Sequence, residues 1–341
     1  RDRQARLVGS EMCIRDRVTA GAGTTIAAWQ ASARAAGLDT PVDFAARDSA
    51  TIGGAIATNA GGSRVVRYGT MRHQIVGIEA VLADGRVVGS LAGLPKETAG
   101  LHWPSLLAGS EGTLAVVTAA RLRLVPRHDR VVTAMVALET VDAAVALAGR
   151  LRTELSALDS LEFMLPAAVE LVARHLGEQP PVDAAGPVVI VECAAHSDPT
   201  DELAAVLGSA HGIVDTAVAA DPVRRGHLVR FRDRMTEAIA VAAGADGTPT
   251  FKLEVAVPLH ALDALLDVAA RAADRDGAAL IAFGHLAEGN LHLNHLHASN
   301  TRLLADTVLA EVARLGGTIS AEHGIGIAKA AWLPLIRSAG D

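Results

Sequence analysis

Two periods of apolar positions alternate along the chain. Residues 26–36 (IAAWQASARAA) carry the alanine content and spacing of a helix, with Gly37 placed to close it. Ile75–Leu82 reads as a strand, Asp84-Gly85 as a hairpin turn and Arg86–Val88 as the returning strand. Thr113–Leu124 is a second β-branched run, ended by Pro126. A boundary falls near Pro126–Arg130. Beyond it, strands are predicted at Val131–Leu138, Leu161–Phe163, Pro187–Cys193, Phe251–Val257 and Leu280–Gly284, with helices at Val141–Leu151, Asp201–Leu207 and Leu262–Ala273. Strand pairs without long crossovers predict an antiparallel α+β sheet rather than a doubly wound one. Gly177–Ala185 reads as an exposed loop, and no internal repeat stands out. Regular patterning begins at Val18. Arg1 to Arg17 has neither period and a composition unlike the rest. Its Ser10–Arg17 run resembles translated sequencing-adapter sequence, so the segment reads as an artefact, or else as a basic arm, and is set apart from the fold. The expected division is therefore 1–17, 18–127 and 128–341.

Composition narrows the class. The 341 residues are half hydrophobic and one-fifth charged, the profile of a globular protein with room for two cores. A net charge of −7, without a basic patch interleaved with aromatics, argues against a nucleic-acid partner. The longest apolar stretches, such as 131–149, are broken by Glu139 and Asp142, so no transmembrane segment is expected. Two cysteines, Cys13 and Cys193, are too few for a disulfide framework or a cysteine-ligated cluster. A reducing, cytoplasmic location is expected, compatible with a peripheral place on the inner face of a membrane.

Ala50–Thr70 (ATIGGAIATNAGGSRVVRYGT) concentrates glycine pairs at 53–54 and 61–62. Such a segment can bring backbone amides close to a phosphate or a planar ring, with Thr51 and Asn59 adding side-chain hydrogen bonds. It can equally be a pair of tight turns in an alanine-rich core. Upstream, Gly21-Ala-Gly23-Thr-Thr-Ile26 approximates a dinucleotide fingerprint. Its third glycine is replaced by Ile26 and no apolar strand is evident before it, so a turn from strand into helix is the better reading.

The second half concentrates ligand-type side chains. His285 precedes a Gly289-Asn290 turn, after which residues 291–296 alternate as a strand, placing His292 and Asn294 on one face. Glu322-His323 lies on a glycine-flanked turn. His285, His292 and Glu322 form a two-histidine, one-carboxylate set that suits Zn²⁺ or Mn²⁺ and leaves a coordination position for substrate. An isolated pair of histidines would by default be structural, and His295 and His297 take that reading. Arg232 and Thr236, four apart, are expected on one helix face, and arginine's planar fork suits a carboxylate. Arg224, Arg225 and Arg234 read as a solvated face.

Several motifs together resemble the FAD-binding domain of the vanillyl-alcohol-oxidase superfamily. They are Pro41-Val-Asp43, Asp48-Ser-Ala-Thr-Ile-Gly-Gly54, Thr58-Asn-Ala-Gly-Gly62, Tyr68-Gly-Thr70 and Gly109-Ser-Glu-Gly-Thr113. The branch is that of D-lactate and D-2-hydroxyglutarate dehydrogenases and the glycolate oxidase catalytic subunit, and the likeness runs from about Val18 to the last residue. It implies the second part of an FAD-binding domain followed by an antiparallel α+β cap, or substrate, domain. It implies flavin contacts from Thr51, Gly53, Gly54, Asn59, Gly61, Gly112 and Val117. It implies substrate contacts from Arg232, Thr236, Lys252 and Asn294, and agrees with metal ligation by His285, His292 and Glu322. Ala115 stands where the family has glycine, and Ala287-Glu288 where relatives read Gly-Asp.

The implied reaction is oxidation of a small D-2-hydroxy acid to the 2-oxo acid. Hydride passes to flavin, the metal lowers the hydroxyl pKa, and His323 takes the proton as general base. Electrons would leave to a quinone, an electron-transfer flavoprotein or a partner subunit. Three rivals differ in what they leave unexplained. A zinc hydrolase would not need the glycine-rich segment. A non-redox flavin transferase resembling alkyldihydroxyacetonephosphate synthase would not reduce an electron acceptor. A non-catalytic flavin-binding subunit would not need the histidines. The family's opening pyrophosphate loop and final helix are not recognised in the chain. The expectation is a fragment that binds FAD weakly or not at all when alone.

Overall fold

A computed structural model describes residues 16–94, 96–244 and 250–340. Residues 1–15 of the segment set apart lie outside the described residues. The remaining two are not separate from the fold. Arg17 opens the first strand, and the Asp16 carbonyl accepts from the Leu124 amide. The chain divides into two compact units, Arg1–Arg127 with Glu322–Gly324, and His128–Ala321 with Ile325–Asp341.

In the first unit the chain runs β1 (Arg17–Gly21), α1 (Ile26–Ala35), β2 (Leu38–Asp39), α2 (Ile52–Thr58), α3 (Val65–Tyr68), α4 (Met71–Gln74), β3 (Ile75–Leu82), β4 (Val87–Ser90), α5 (Trp103–Leu107), β5 (Ala115–Arg123) and β6 (Val125–Pro126). Four strands form an antiparallel sheet in the order β1-β5-β3-β4. Its buried core includes Trp29, Ile52, Ile56, Met71, Ile78 and Leu122. A strand does precede the Gly21–Ile26 turn. With only five residues, alternating between buried and half-buried, it has no continuous apolar run for the sequence to show.

The glycine-rich segment departs from a pair of turns, because residues 52–58 are helical. Thr51 caps the helix by accepting from the Gly54 amide at 3.2 Å. Ile52, Ala55 and Ile56 recur at helical spacing and are buried, which overrides the poor helix propensity of Gly53 and Gly54. Asn59, in the left-handed region at φ 53°, ends it.

The second unit runs β7 (Arg130–Leu138), α6 (Val141–Glu154), β8 (Leu158–Met164), α7 (Pro166–Leu176), β9 (Val188–Ala195), α8 (Thr200–Gly208), β10 (Ile213–Ala219), α9 (Pro222–Asp233), α10 (Met235–Gly244), β11 (Phe251–Ala256), α11 (Leu262–Asp276), β12 (Ala279–His285), β13 (Asn290–Leu296) and α12 (Thr301–Arg314). Seven strands pair antiparallel throughout, in the order β10-β7-β9-β8-β12-β13-β11. On one face Met135, Ile190, Met164, Ile281 and Phe283 pack against α7, α9 and α10 through Val169, Val172, Phe231, Met235 and Ile239. The Gly177–Ala185 loop is largely exposed, although Val182 is buried in this core. No helix of the described residues is long and apolar enough to cross a membrane.

Arg232 and Thr236 do not share one helix. Arg234 (φ −86°, ψ 0°) ends α9, and α10 begins at Met235, so the four-residue rule does not apply across the break.

Thr133, Ser160 and Glu192 fall on the sheet face that meets α9. Glu192 on β9 accepts from the Thr133 hydroxyl at 3.2 Å and from the Ser160 hydroxyl at 3.4 Å. Burial pushes its carboxyl pKa up, and Asp159 pushes it further. A raised folded-state pKa means that stability is complete below the ordinary carboxylate range and is lost as pH rises through the shifted value. Glu192→Gln keeps an acceptor oxygen for one hydroxyl and offers the other, which can turn to accept, an amide NH2, without the charge. Its melting temperature should therefore fall less than that of the wild type between pH 5 and pH 8. Equal falls in the two proteins, measured by circular dichroism, would contradict this.

Candidate functional site

Of the residues singled out from the second half, His285, His292, Asn294 and Lys252 lie on adjacent strands toward one edge of the seven-stranded sheet. β8 and β12 pair so that Glu162 lies opposite His285. β12 and β13 pair Phe283 with His292, and Ile281 with Asn294. β13 and β11 pair Asn294 with Lys252, and His292 with Glu254. Side chains two apart share a face, so Glu162, His285, Phe283, His292, Asn294, Glu254 and Lys252 all project from the same side.

Glu162 is the centre of this group. Arg232 donates from Nε to one of its oxygens at 2.6 Å, and His285 Nδ1 lies 2.6 Å from the other. Glu162 and His285 side chains are each 5% exposed and that of Arg232 13%. Burial alone would raise the Glu162 pKa. The charges of Arg232 and His285 and the two hydrogen bonds prevail and bring it down to about 2, so Glu162 is a carboxylate across the working range. The Arg232 guanidinium lies 5.7 Å from the Phe283 ring centre, and that ring packs 4.9 Å from His292. The His285 and His292 rings meet edge-on at 5.4 Å and 85°. Glu288, after the His285 turn, has its pKa raised to about 7, first by burial and then by Glu162 through an effect that His285 opposes.

The other assigned residues vary in setting. Asn294 is buried and donates to the Ile281 and His292 carbonyls, both at 3.3 Å. Lys252 is exposed, and Thr236 is exposed in the first turn of α10, which packs against β13. His295 is fully buried on the opposite face beside Phe251, where burial lowers its pKa and keeps it neutral, in line with a structural role. His297 lies just past the strand with φ 60°.

Glu254, also buried, accepts from the Ala321 amide at 3.0 Å and from Asn290 Nδ2. Lys329 Nζ donates to the Glu254 and Ile319 carbonyls at 2.7 and 2.6 Å. These bonds hold the chain on both sides of the Glu322-His323 pair. Within the first unit, Glu322 accepts from the Gly62 amide at 2.8 Å, and an added methyl on Gly61 would meet its carboxylate at 3.0 Å. His323 Nε2 lies 3.7 Å from Glu322, and its ring is exposed.

The two glycine motifs of the first unit form a single surface. Gly109 and Glu111 donate to the Ile56 and Ala57 carbonyls at 3.0 and 2.8 Å, and Arg72 donates its amide to Asn59 Oδ1 at 2.9 Å. Gly112, at φ 77°, faces open space, and Gly54 meets only the Thr51 hydroxyl. Val116 on β5 and Leu114 just before that strand are exposed. An open glycine edge beside exposed apolar side chains fits a nucleotide-linked ring. Gly53 instead packs against Ala22, and Val117 is half-buried against the core.

Sequence reasoning missed Glu162, Phe283 and Glu254. The signal for Glu162 was a carboxylate inside an otherwise apolar strand segment, where an unpaired charge is not tolerated.

Comparison with known proteins assigns the class. An FAD binding domain model matches residues 7–90, and a model of the C-terminal domain of FAD linked oxidases matches 127–340. The chain belongs to the FAD-linked oxidase family. Among curated relatives, it is 35% identical to a D-2-hydroxyglutarate dehydrogenase of Xanthomonas citri over 94% of this chain and 70% of that protein. It is 36% identical to the mitochondrial D-2-hydroxyglutarate dehydrogenase of Rattus norvegicus, covering 85% of this chain and 55% of the relative. A D-lactate dehydrogenase of Archaeoglobus fulgidus is 32% identical over 91% of this chain and 68% of its own length. The chain thus spans from about half to 70% of these relatives. Among solved structures, an alkyldihydroxyacetonephosphate synthase superposes with a TM-score of 0.71 at 15% identity, over 98% of this chain and 65% of the other. With the two family models, that likeness of fold bears out the vanillyl-alcohol-oxidase type of architecture expected from the sequence.

Gly62 tests the packing of the glycine segment. Its φ is 92°, and an added methyl would press into the Asp43 carbonyl oxygen. Gly62→Ala should destabilise the first unit by about 2–4 kcal/mol, combining left-handed strain with overpacking. Urea unfolding followed by the buried Trp29 reports it, and an unchanged midpoint would refute this packing.

Proposed function

We propose that this chain carries the cofactor- and substrate-handling residues of an FAD-dependent dehydrogenase that oxidises a small D-2-hydroxy acid to the 2-oxo acid. The observation that carries this reading is the buried Arg232–Glu162–His285 group with His292 beside it, on one sheet face. It combines a carboxylate-binding side chain with metal-type ligands. The names of the relatives agree, and among the rival readings they favour the dehydrogenase over the transferase.

Bound flavin would supply the acceptor for the hydride leaving the substrate α-carbon, and a bound Zn²⁺ or Mn²⁺ would supply Lewis acidity at the substrate oxygens. His285, His292 and Glu322 would hold the metal. The donor set fits: Nδ1 of His285 faces Glu162, so Nε2 is the nitrogen offered for coordination, the usual carboxylate–histidine arrangement behind a metal. Thr51, Gly53, Gly54, Asn59, Gly61, Gly112 and Val117 would line the flavin. Arg232 would pair with the substrate carboxylate, with Thr236, Lys252 and Asn294 completing the pocket. His323, on its exposed turn, would take the hydroxyl proton at a ring nitrogen. A quinone, an electron-transfer flavoprotein or a partner subunit would accept the electrons.

Flavin-loaded enzyme should reduce a redox dye with D-2-hydroxy acids and not with their L enantiomers. His292→Ala should lower this rate at least about 100-fold, the low end for loss of a metal-borne contribution, while flavin absorbance is retained. Elemental analysis should find metal in the wild type and none in the variant. Full activity in metal-free enzyme would sink the metal assignment, and no dye reduction by any 2-hydroxy acid would sink the function.

A further inference from the structure

We infer that Glu162 is a positioning residue that ties metal binding to substrate binding by holding His285 and Arg232 with its two oxygens. The inference rests on the reading of His285 as a metal ligand and Arg232 as a substrate contact, and assigns a role to a residue outside that set. One buried carboxylate accepts from both, at 2.6 Å each. β8 fixes the Glu162 backbone opposite His285 in the β8–β12 register, so the side chain reaches both partners from one anchored position. The Phe283 ring supports the arrangement from beside Arg232 and His292. The hydrogen bond to Nδ1 sets the orientation of the His285 ring and makes its other nitrogen more basic. The bond from Arg232 Nε orients the guanidinium. A shift of the carboxylate toward one partner weakens its hold on the other. The metal ligand and the substrate arginine are therefore one mechanical unit rather than two neighbouring contacts.

The measurement is made on the holoenzyme, with metal affinity read by equilibrium dialysis against Zn²⁺ or Mn²⁺ alone and KM read with a D-2-hydroxy acid. Glu162→Gln should lower metal affinity about 10–100-fold, the usual effect of losing a partner behind a ligand, and raise KM in the same protein. Arg232→Lys keeps the positive charge but loses the Nε–H. It should also weaken metal binding, although no metal ligand is altered, and this result does not depend on the Gln variant folding. A merely structural role would lower the melting temperature without moving metal affinity in Arg232→Lys. Wild-type metal affinity in Arg232→Lys would overturn the inference, as would a Glu162→Gln variant in which only one of the two quantities changes. His292→Ala separates the two readings. If it keeps its metal, the metal site itself has been misassigned. If it loses metal while the other two variants keep theirs, only the coupling through Glu162 fails.

Discussion

A single carboxylate buried in the seven-stranded sheet constrains the candidate site. Glu162 can be enclosed there only because Arg232 and His285 neutralise it and accept its geometry. Removing Arg232 would take away the guanidinium that compensates the carboxylate, and removing His285 would leave its other oxygen without this partner, in a region where desolvation costs several kcal/mol. The register of β8 against β12, the place of Arg232 in the last turn of α9 and the orientation of the His285 ring are thus mutually dependent. The site's preorganisation is the result of satisfying one buried charge.

The rest of the constellation is arranged around that sheet edge by strand periodicity. Antiparallel pairing repeats every second residue, so His285, Phe283, His292, Asn294 and Lys252 reach one face from three adjacent strands. The opposite face receives His295, which burial keeps neutral. Glu254 uses the same face to secure the backbone on either side of Glu322 and His323 through Ala321 and Lys329. In the first unit the comparable device is the backbone pairing of residues 109–111 with the end of α2, which makes one surface of two motifs far apart in sequence.

Much of this was legible in the sequence, for reasons specific to each element. Ile75–Leu82 was predicted to the residue because a β-branched run is bounded by a turn at Asp84-Gly85. The antiparallel α+β character followed from strands separated by connections too short for a crossover at every step. The histidines were visible because His285 precedes a Gly289-Asn290 turn and His292 shares a strand face with Asn294 two residues on. Helix α2 was hidden because Gly53 and Gly54 argue against helix locally, and only the burial of Ile52 and Ile56 decides the matter. The break at Arg234 has no proline or glycine to announce it, so Arg232 and Thr236 read as one face. Glu162 was missed because its partners lie 70 and 123 residues away, and no local pattern records such a pairing.

Glu162 holds His285 through Nδ1. Nitrogen-15 NMR of histidine-labelled, metal-free protein reads the protonation of each ring nitrogen directly. The account predicts a proton on Nδ1 of His285, assigned by its loss in His285→Gln, with that signal moving in Glu162→Gln. An unprotonated Nδ1 in the wild type, or a His285 signal indifferent to the Glu162 substitution, would contradict it.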